Sequence, residues 1–171
     1  NEAIEYLYEA ISFNPTKDLE TRMLFILGQI FQKNDDLTRA TNLYRQVIKK
    51  NPPYEMAFQA KINMATAFDA SFADSKEVRK LLRKMLRDSK NEEFLDQIYY
   101  ALAEIDLKEG KTEQGIENLK LSVKESVSNN YQKAKSALRL ADLYFEVPNY
   151  QEAQAYYDTA MMFLPNDFPD Y

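Results

Sequence analysis

The chain has 171 residues, of which 45% are hydrophobic and 29% are charged, so it can bury a core and belongs to the globular class. Its formal net charge of -5 argues against general affinity for nucleic acid or anionic membrane, because both require a basic excess. The absence of Cys removes thiol catalysis, Cys-based zinc sites and disulfides. The most apolar stretch, Met23 to Phe31, is far shorter than the roughly 20 residues of a membrane span, so we expect none.

The first predicted element is a helix from Glu2 to Phe13, in which Ala3 is followed by a large apolar residue, Leu7, and then by Ala10. The same arrangement returns four times along the chain, each time starting from an anchor residue that is usually small. The anchors are separated by 37, 38, 37 and 38 residues, and they are Ala3, Ala40, Val78, Gly115 and Ala153. One helical face therefore recurs five times, and nearly the whole chain consists of repeats.

A second pattern precedes the later four of these helices. It pairs an apolar residue with a small one and places a bulky residue three positions later, as in LGQIF (27 to 31), MATAF (64 to 68), LAEID (102 to 106) and LADLY (140 to 144). The small residue lets a neighbouring helix approach, while the bulky residue fills the space beside it. Short polar connectors join the two helices of each pair, which predicts antiparallel hairpins and nine helices in all.

Residues in the connectors predict where helices begin and end. Asn34 and Gly110 suit left-handed caps at the C-terminal end of a helix. The side chains expected to accept the first free N–H groups of the following helix are Asp36, Asp74, Thr112 and Asn149. Carboxylate pairs such as Asp35 with Asp36 fall at helix starts, where capping explains them better than catalysis does.

This pattern resembles the tetratricopeptide repeat, whose consensus combines Leu-Gly or Leu-Ala, an aromatic residue, then Ala, an aromatic residue, Ala and a closing Pro. Pro15, Pro52 and Pro165 stand at the closing position. The chain departs from the consensus at Asp106, where an aromatic residue is expected, as well as at Lys61 and Val127. The resemblance implies an all-α solenoid of antiparallel helix pairs that forms a right-handed superhelix.

The repeats predict a single array and set its boundaries. Residues 1–15 form the second helix of a truncated repeat, and four helix pairs follow at 17–52, 53–90, 91–129 and 130–165, with a tail at 166–171. The exposed apolar residues expected at both ends, such as Met161 and Met162, favour a fragment of a longer array or self-association through the open ends.

The resemblance also implies which residues line the concave groove, because first helices face it in this family. In the first two complete repeats they are Arg22, Phe25, Gln29, Gln32, Lys33, Gln59, Ile62, Thr66 and Asp69. In the last two they are Gln97, Tyr100, Glu104, Lys108, Lys135, Leu138, Asp142, Phe145 and Glu146. The aromatic members suggest a groove for apolar side chains of a peptide or helix, or else packing between repeats.

The segment from Lys76 to Lys90 predicts an amphipathic helix with a basic face. Its candidate binding residues are Arg79, Lys80, Arg83, Lys84 and Arg87. One interpretation is contact with phosphates, lipid head groups or an acidic partner. The alternative is a solvated outer face, which we favour because no aromatic residues stand between the cations to stack on bases.

Catalytic and clamp-type sites are both disfavoured by the residues present. With no His and no Cys, the remaining candidates for catalysis are carboxylates, lysines, tyrosines and hydroxyls, and they form no catalytic pattern. We expect no enzyme, no metal and no cofactor. Related co-chaperones hold an acidic peptide through Lys and Asn of successive first helices; Lys135 and Arg139 would suit half of that clamp, but Phe25, Gln29 and Tyr100 replace the other half.

Two segments, residues 47–63 and 74–110, resemble the large repeat-containing lipoproteins of Bacteroidota that serve gliding motility and type IX protein secretion. The resemblance implies a periplasmic protein, held at the outer membrane only through a lipidated Cys of a longer parent protein. We therefore expect a non-catalytic scaffold that binds components of such machinery. The alternatives are an adaptor of another outer-membrane or cytosolic assembly and, less favoured, an enzyme or a nucleic-acid binder.

Overall fold

The structure, a computed structural model, describes residues 2–68 and 75–164. These residues form nine α-helices and a short 3-10 helix, Ser89–Phe94, and contain no strand, which confirms the predicted all-α class. The helices are α1 (Glu2–Ser12), α2 (Lys17–Lys33), α3 (Leu37–Lys49), α4 (Tyr54–Thr66), α5 (Lys76–Leu86), α6 (Leu95–Lys108), α7 (Thr112–Glu125), α8 (Asn130–Glu146) and α9 (Tyr150–Phe163). No helix in these two ranges is long and apolar enough to cross a bilayer.

Four sequence predictions lie outside the described residues. They are the groove position of Asp69, the helix cap at Asp74, the closing Pro165 and the tail at 166–171.

Neighbouring helices pack against each other in chain order, and these contacts include three of the four predicted hairpins, α2 with α3, α6 with α7 and α8 with α9. Contacts join α1 to α2, α2 to α3 and α3 to α4, and then α6 to α7, α7 to α8 and α8 to α9. The first helices α6 and α8 also touch. The packing divides into two compact units, which we call the N-terminal unit, up to Val78, and the C-terminal unit, from Arg79.

The core of the N-terminal unit forms where the helix pair α2 and α3 meets α4. Leu27, Tyr44, Val47 and Ala65 have no exposed surface. Tyr44 is the largest of them, and burial raises the pKa of its hydroxyl to about 12. The predicted alternation of small and bulky residues thus places the bulky Tyr44 inside the hairpin.

The core of the C-terminal unit is shared by three helices. Tyr100 and Ala103 of α6, Leu119 of α7, and Leu140 and Leu143 of α8 form one apolar cluster. The small residues of the repeated pattern, Ala103 and Ala141, are fully buried at the positions where helices approach. This confirms the packing role that the sequence predicts for them.

Three of the predicted helix ends are confirmed. The Asp36 carboxylate accepts a hydrogen bond from the backbone N–H of Arg39 at 3.0 Å. The Asn149 side chain accepts one from the backbone N–H of Glu152 at 3.5 Å. Gly110 follows α6 with a φ of 72°, a left-handed conformation that favours glycine.

Two other helix ends differ from the prediction by one residue. The left-handed residue after α2 is Asp35, with a φ of 59°, whereas Asn34 has a φ of -87°. Asp tolerates the left-handed region better than most residues, so the cap moves one position along the chain. Thr112 is the first residue of α7, and Lys111 precedes it without a side-chain cap.

Candidate binding surfaces

Two of the predicted groove residues in the N-terminal unit are joined by hydrogen bonds. The Gln32 side chain donates to the Thr66 hydroxyl at 3.1 Å and accepts from the Tyr44 hydroxyl at 2.8 Å. Gln32 therefore links α2, α3 and α4. Its amide has a structural role that sequence reasoning did not assign.

The other predicted residues of this unit differ in exposure. Ile62 is only 7% exposed, so it belongs to the core, and Phe25 is half-buried with its ring 5.8 Å from that of Tyr44. Gln59 is also half-buried, whereas Arg22 and Gln29 are exposed. Together with Lys33, which is also exposed, they are the predicted residues of this unit most available to a partner.

In the C-terminal unit, four side chains meet where α6 and α8 touch. Lys135 Nζ lies 4.5 Å from the centre of the Tyr100 ring, and Arg139 Nε lies 3.4 Å from Glu104 Oε1. We call Tyr100, Glu104, Lys135 and Arg139 the α6/α8 site. Three of the four are predicted groove residues, and Arg139 was considered only as part of a clamp.

The α6/α8 site contains charges that are incompletely paired. Glu104 Oε1 is buried and receives no hydrogen bond, because Arg139 is close but poorly aligned. Within the described residues, no carboxylate lies within 4.0 Å of Lys135 Nζ. Burial lowers the pKa of Lys135, and the negative charge of Glu104 opposes that shift. The site therefore offers an acceptor and a donor to a polar ligand.

Other predicted residues of this unit lie on the same two helices as the site, α6 and α8. Lys108 is exposed and Leu138 is half-buried, while Phe145 is 58% exposed and packs on Tyr150 with ring centres 5.5 Å apart. Asp142 accepts a 2.8 Å hydrogen bond from the Tyr157 hydroxyl, which raises the pKa of Tyr157 and joins α8 to α9. Leu138 and Phe145 provide partly exposed apolar surface on α8, the helix that also carries Lys135 and Arg139.

One groove residue has a larger structural role than the sequence suggests. Tyr100 is 8% exposed and belongs to the apolar cluster of the C-terminal unit. Tyr100→Ala should therefore impair folding, because truncating a buried aromatic residue costs about 3–5 kcal/mol.

The basic surface formed by α5 and the turn after it contains four of the five predicted residues, with Arg87 in the turn. Lys80, Arg83, Lys84 and Arg87 are exposed, and none of them forms an ion pair with another described residue. The apolar residues Leu82 and Met85 of this helix are buried in the protein, which leaves them unable to insert into a membrane. A solvated face remains one interpretation, and contact with phosphates, lipid head groups or an acidic partner remains the other.

Arg79 does not belong to that exposed face. Its guanidinium donates to Asp106 and to Glu109, each at 2.7 Å, and Asn118 donates to the second oxygen of Asp106 at 2.7 Å. Asp106 is 3% exposed. This pairing explains how α6 tolerates Asp at a position where the repeat pattern expects an aromatic residue.

A second buried polar cluster was missed by sequence reasoning. The Ser122 hydroxyl donates to the backbone carbonyl of Asp96 and lies 2.8 Å from the Ser136 hydroxyl, while Ser126 donates to the Asp96 carboxylate at 3.2 Å. Burial raises the pKa of Asp96. The available signal was Ser122 itself, because Val47 and Ala160 stand at its equivalent positions.

Comparison with protein-family models and with curated proteins identifies no relative of this chain. No protein-family model matches the chain, and no curated protein matches its sequence significantly. In the parts of the chain that the structure describes, no group of three or more acidic residues is arranged to hold a metal ion. The residues above therefore provide the basis for the functional proposal.

Proposed function

We propose that the protein is a non-catalytic scaffold of tetratricopeptide type that binds a peptide segment of another protein. The repeat of 37 or 38 residues and the packing of neighbouring helices in chain order support the architecture. In proteins of this type the hairpins stack into a right-handed superhelix with first helices on its concave side. The proposal accordingly assigns binding to first helices, and above all to the α6/α8 site.

The observation that carries this assignment is the buried Glu104 oxygen without a hydrogen bond. An unsatisfied buried acceptor costs about 1–3 kcal/mol, and a rotation of the Glu104 side chain, which is 17% exposed, towards a ligand N–H would recover that cost. A peptide backbone fits, because its N–H can donate to Glu104 while a neighbouring carbonyl accepts from Lys135. Apolar side chains of the same peptide would then lie on Leu138 and Phe145.

The site fits a peptide backbone better than a terminal carboxylate. A carboxylate would need Lys135 and Arg139 together, but Arg139 already lies 3.4 Å from Glu104. A second negative charge beside Glu104 would be repelled in this partly buried site. The neutral peptide group avoids that repulsion.

The more specific form of the proposal places the scaffold in a type IX secretion or gliding motility apparatus, at the periplasmic face of the outer membrane. Its support is the resemblance of residues 47–63 and 74–110 to lipoproteins of that machinery. An adaptor of another outer-membrane or cytosolic assembly is the alternative. Both forms predict protein partners and no nucleic-acid partner.

The test uses a photo-crosslinking amino acid in the protein, expressed in its own cells. Placed at Leu138, beside the α6/α8 site, it should capture a partner, whereas the same residue at the exposed Lys124 of α7 should not. Glu104→Gln and Lys135→Gln should each lower the yield about tenfold, since polar residues central to an interface carry much of the affinity. Equal capture at both positions would refute the site.

Two controls test the proposed binding site and the proposed assembly separately. The free energy of unfolding in urea of the Glu104→Gln and Lys135→Gln variants should equal that of the unsubstituted protein. Such agreement would exclude misfolding as the cause of lost capture. The identity of the captured protein then distinguishes the two proposed assemblies. A secretion or motility component supports the type IX secretion or gliding motility apparatus, whereas a component of another complex supports the adaptor.

A further inference from the structure

The basic surface of Lys80, Arg83, Lys84 and Arg87 carries charge that the rest of the described protein does not neutralise. All four side chains are exposed, and none forms an ion pair with another described residue. Residues 76–90 contain seven basic and two acidic residues, a net charge of +5, so the other residues carry -10 of the total of -5. A strongly basic surface therefore stands on an otherwise acidic chain.

The exposure of this surface follows from its place on a second helix. Lys80 stands two residues after the anchor Val78, on the side of the helix away from the buried Leu82. This position is exposed in all five second helices, where its residues are Glu5, Asn42, Lys80, Glu117 and Ala155. It is thus the outer side of every repeat, in the middle of the chain as well as near its ends, and helices packed like those described leave it uncovered.

The clustering of cations on this surface opposes helix formation. Lys84 lies four residues after Lys80, and Arg83 lies three residues after it, and like charges at these spacings destabilise a helix. The repeat does not require them, because only in α5 are the residues two, five and six positions after the anchor all basic. A solvated face, which the sequence alone favours, leaves this cost unexplained, whereas a negatively charged ligand would remove it.

The charge of the remaining chain favours a short acidic ligand over an extended one. Lys80 and Arg87 are seven residues apart, about 10 Å at the rise of an α-helix. Physiological salt screens charges over about 8 Å, so a ligand of this length is attracted by the cations and hardly repelled by the acidic residues elsewhere. A bilayer or a nucleic-acid duplex extends much farther and would meet that repulsion.

Two observations argue further against the phosphates of a membrane or a nucleic acid. Leu82 and Met85 of α5 are buried, so they cannot anchor the helix among lipid chains. No aromatic residue stands between the cations to stack on bases. A carboxylate-bearing protein segment needs neither feature.

The charges also favour another protein over a second copy of this chain. The acidic helix of a second copy that would fit best is α1, which contains Glu2, Glu5 and Glu9 and no cation. Each copy carries a net charge of -5, however, and that charge opposes association of two copies. The carboxylates of the described chain itself form no ion pair with the basic surface.

We propose that the basic surface binds an acidic helix of another protein. Carboxylates three and four residues apart on that helix would match the spacing of Lys80, Lys84 and Arg87. The contact should be weak and sensitive to salt, because it consists of exposed ion pairs. The basic surface lies on a second helix, whereas the α6/α8 site lies on first helices, so binding here does not depend on the function proposed for that site.

The test uses a labelled, Ala-based helical peptide of about 20 residues, with blocked ends and with Glu at spacings of three and four. Fluorescence anisotropy should show that its affinity for the protein falls at least about tenfold between about 20 mM and about 200 mM salt. The double variant Arg83→Gln with Lys84→Gln should lower the affinity at low salt at least about fivefold, because two ion pairs are lost. The same peptide with Gln in place of Glu should not bind.

Lys49→Gln with Lys124→Gln is the matched control, because it removes two charges from exposed positions of α3 and α7. It should change the affinity less than about twofold. Equal losses in the two double variants would overturn the proposal, since net charge alone would then attract the peptide. No binding at millimolar peptide would also overturn it, as would tighter binding of duplex DNA or of phosphatidylserine vesicles.

Two measurements test the remaining occupants. The free energy of unfolding in urea of the Arg83→Gln and Lys84→Gln double variant should equal or exceed that of the unsubstituted protein, because repulsion between cations is relieved. A loss of stability would overturn the proposal, since acidic residues of the same chain would then cover the surface. Sedimentation at increasing protein concentration should show no dimer, and a dimer that this variant abolishes would overturn the proposal in favour of self-association.

Discussion

Tyr44 lies directly against the backbone of Gly28 where α2 and α3 pack. A Cβ added at residue 28 would stand 2.7 Å from Cε1 of the Tyr44 ring. The ring cannot easily withdraw, because it is fully buried and its hydroxyl donates to Gln32. The small residue of the LGQIF pattern is thus required by the bulky residue of the next helix.

Gly28→Ala should therefore destabilise the protein, although Ala is the better helix former. Overpacking costs about 1–3 kcal/mol and the gain in helix propensity is about 1 kcal/mol, so we expect a net loss of about 1 kcal/mol in urea unfolding. Gly115→Ala is the matched control. Its Cβ would stand 2.6 Å from Cδ2 and 2.8 Å from Cγ of Leu107. Leu107 is half-buried and can relieve both contacts by changing its χ1 rotamer, which the fully buried Tyr44 ring cannot, so the loss should be smaller. Equal losses would contradict the argument.

The buried ion pair of Arg79 and Asp106 gives the second prediction. Arg79→Met should lower the free energy of unfolding by about 3 kcal/mol, because it leaves the buried Asp106 carboxylate without its cation. Adding Asp106→Leu should recover at least half of that loss, since the double variant buries no unpaired charge. Urea unfolding of both single variants and the double variant measures the coupling.

Glu117→Ala provides the comparison for that pair. Glu117 also forms an ion pair, with Lys120, but its side chain is 72% exposed. Its loss should change the free energy of unfolding by less than about 1 kcal/mol. A double variant no more stable than Arg79→Met would show that the network stabilises through packing and not through charge pairing.

The hairpins could be predicted from the sequence because their pattern is local. Ala103 and Ala141 are buried where a small residue followed by a bulky one predicts helix contact. The inward position of Arg79 could not be predicted in the same way. The basic residues of α5 are chemically similar, and only the position of α6 determines which of them forms an ion pair with it. Asp106 was the available signal, since a charge at an apolar position requires a partner.

The candidate site was predictable in place but not in detail. Tyr100, Glu104 and Lys135 were assigned to one surface, and the structure does bring them together. The sequence could not distinguish the buried Tyr100 from the exposed Phe145, because both follow the same helical spacing. The missing hydrogen bond at Glu104 depends on the alignment of Arg139, which no sequence pattern contains.

The cap at Asp36 predicts an acid-sensitive stability. The backbone N–H of Arg39 is the main cause of the lowered pKa of Asp36, and the Arg39 guanidinium adds to it. The folded state therefore binds this proton less readily than the unfolded state, whose pKa is about 3.9. The stability that the carboxylate contributes is present above that pH and is lost as pH falls through the lower folded pKa.

Asp36→Asn keeps an acceptor for the Arg39 N–H but removes the titration. We expect the variant to lose less stability than the parent between pH 5 and pH 2, in urea unfolding followed by circular dichroism. Asp35→Asn makes the same charge change one residue earlier, at a position that Asn also tolerates with its φ of 59°. If both variants reduce the loss of stability between pH 5 and pH 2 equally, the change in net charge and not the cap is responsible for that loss.

Asp96 should change stability with pH in the opposite direction. Burial is the main cause of its raised pKa, and hydrogen bonds from the backbone of Gln97 and from Ser126 only partly offset it. The folded state therefore binds the proton more readily than the unfolded state. This group adds stability as pH falls through its folded pKa towards the unfolded value, and at pH 7 its buried charge is unfavourable. Asp96→Asn, which keeps an acceptor for the Gln97 N–H, should accordingly be more stable than the parent at pH 7.

That advantage should shrink as the pH falls through the raised folded pKa of Asp96, because the carboxyl of the unsubstituted protein then binds a proton in the folded state. Urea unfolding of the parent and of Asp96→Asn at pH 7, 5.5 and 4 measures the difference directly. Asp158→Asn is the matched control, because it removes one negative charge from an exposed position of α9. A variant less stable than the parent by the same amount at all three pH values would contradict the prediction, since the carboxylate would then be needed as the acceptor from Ser126.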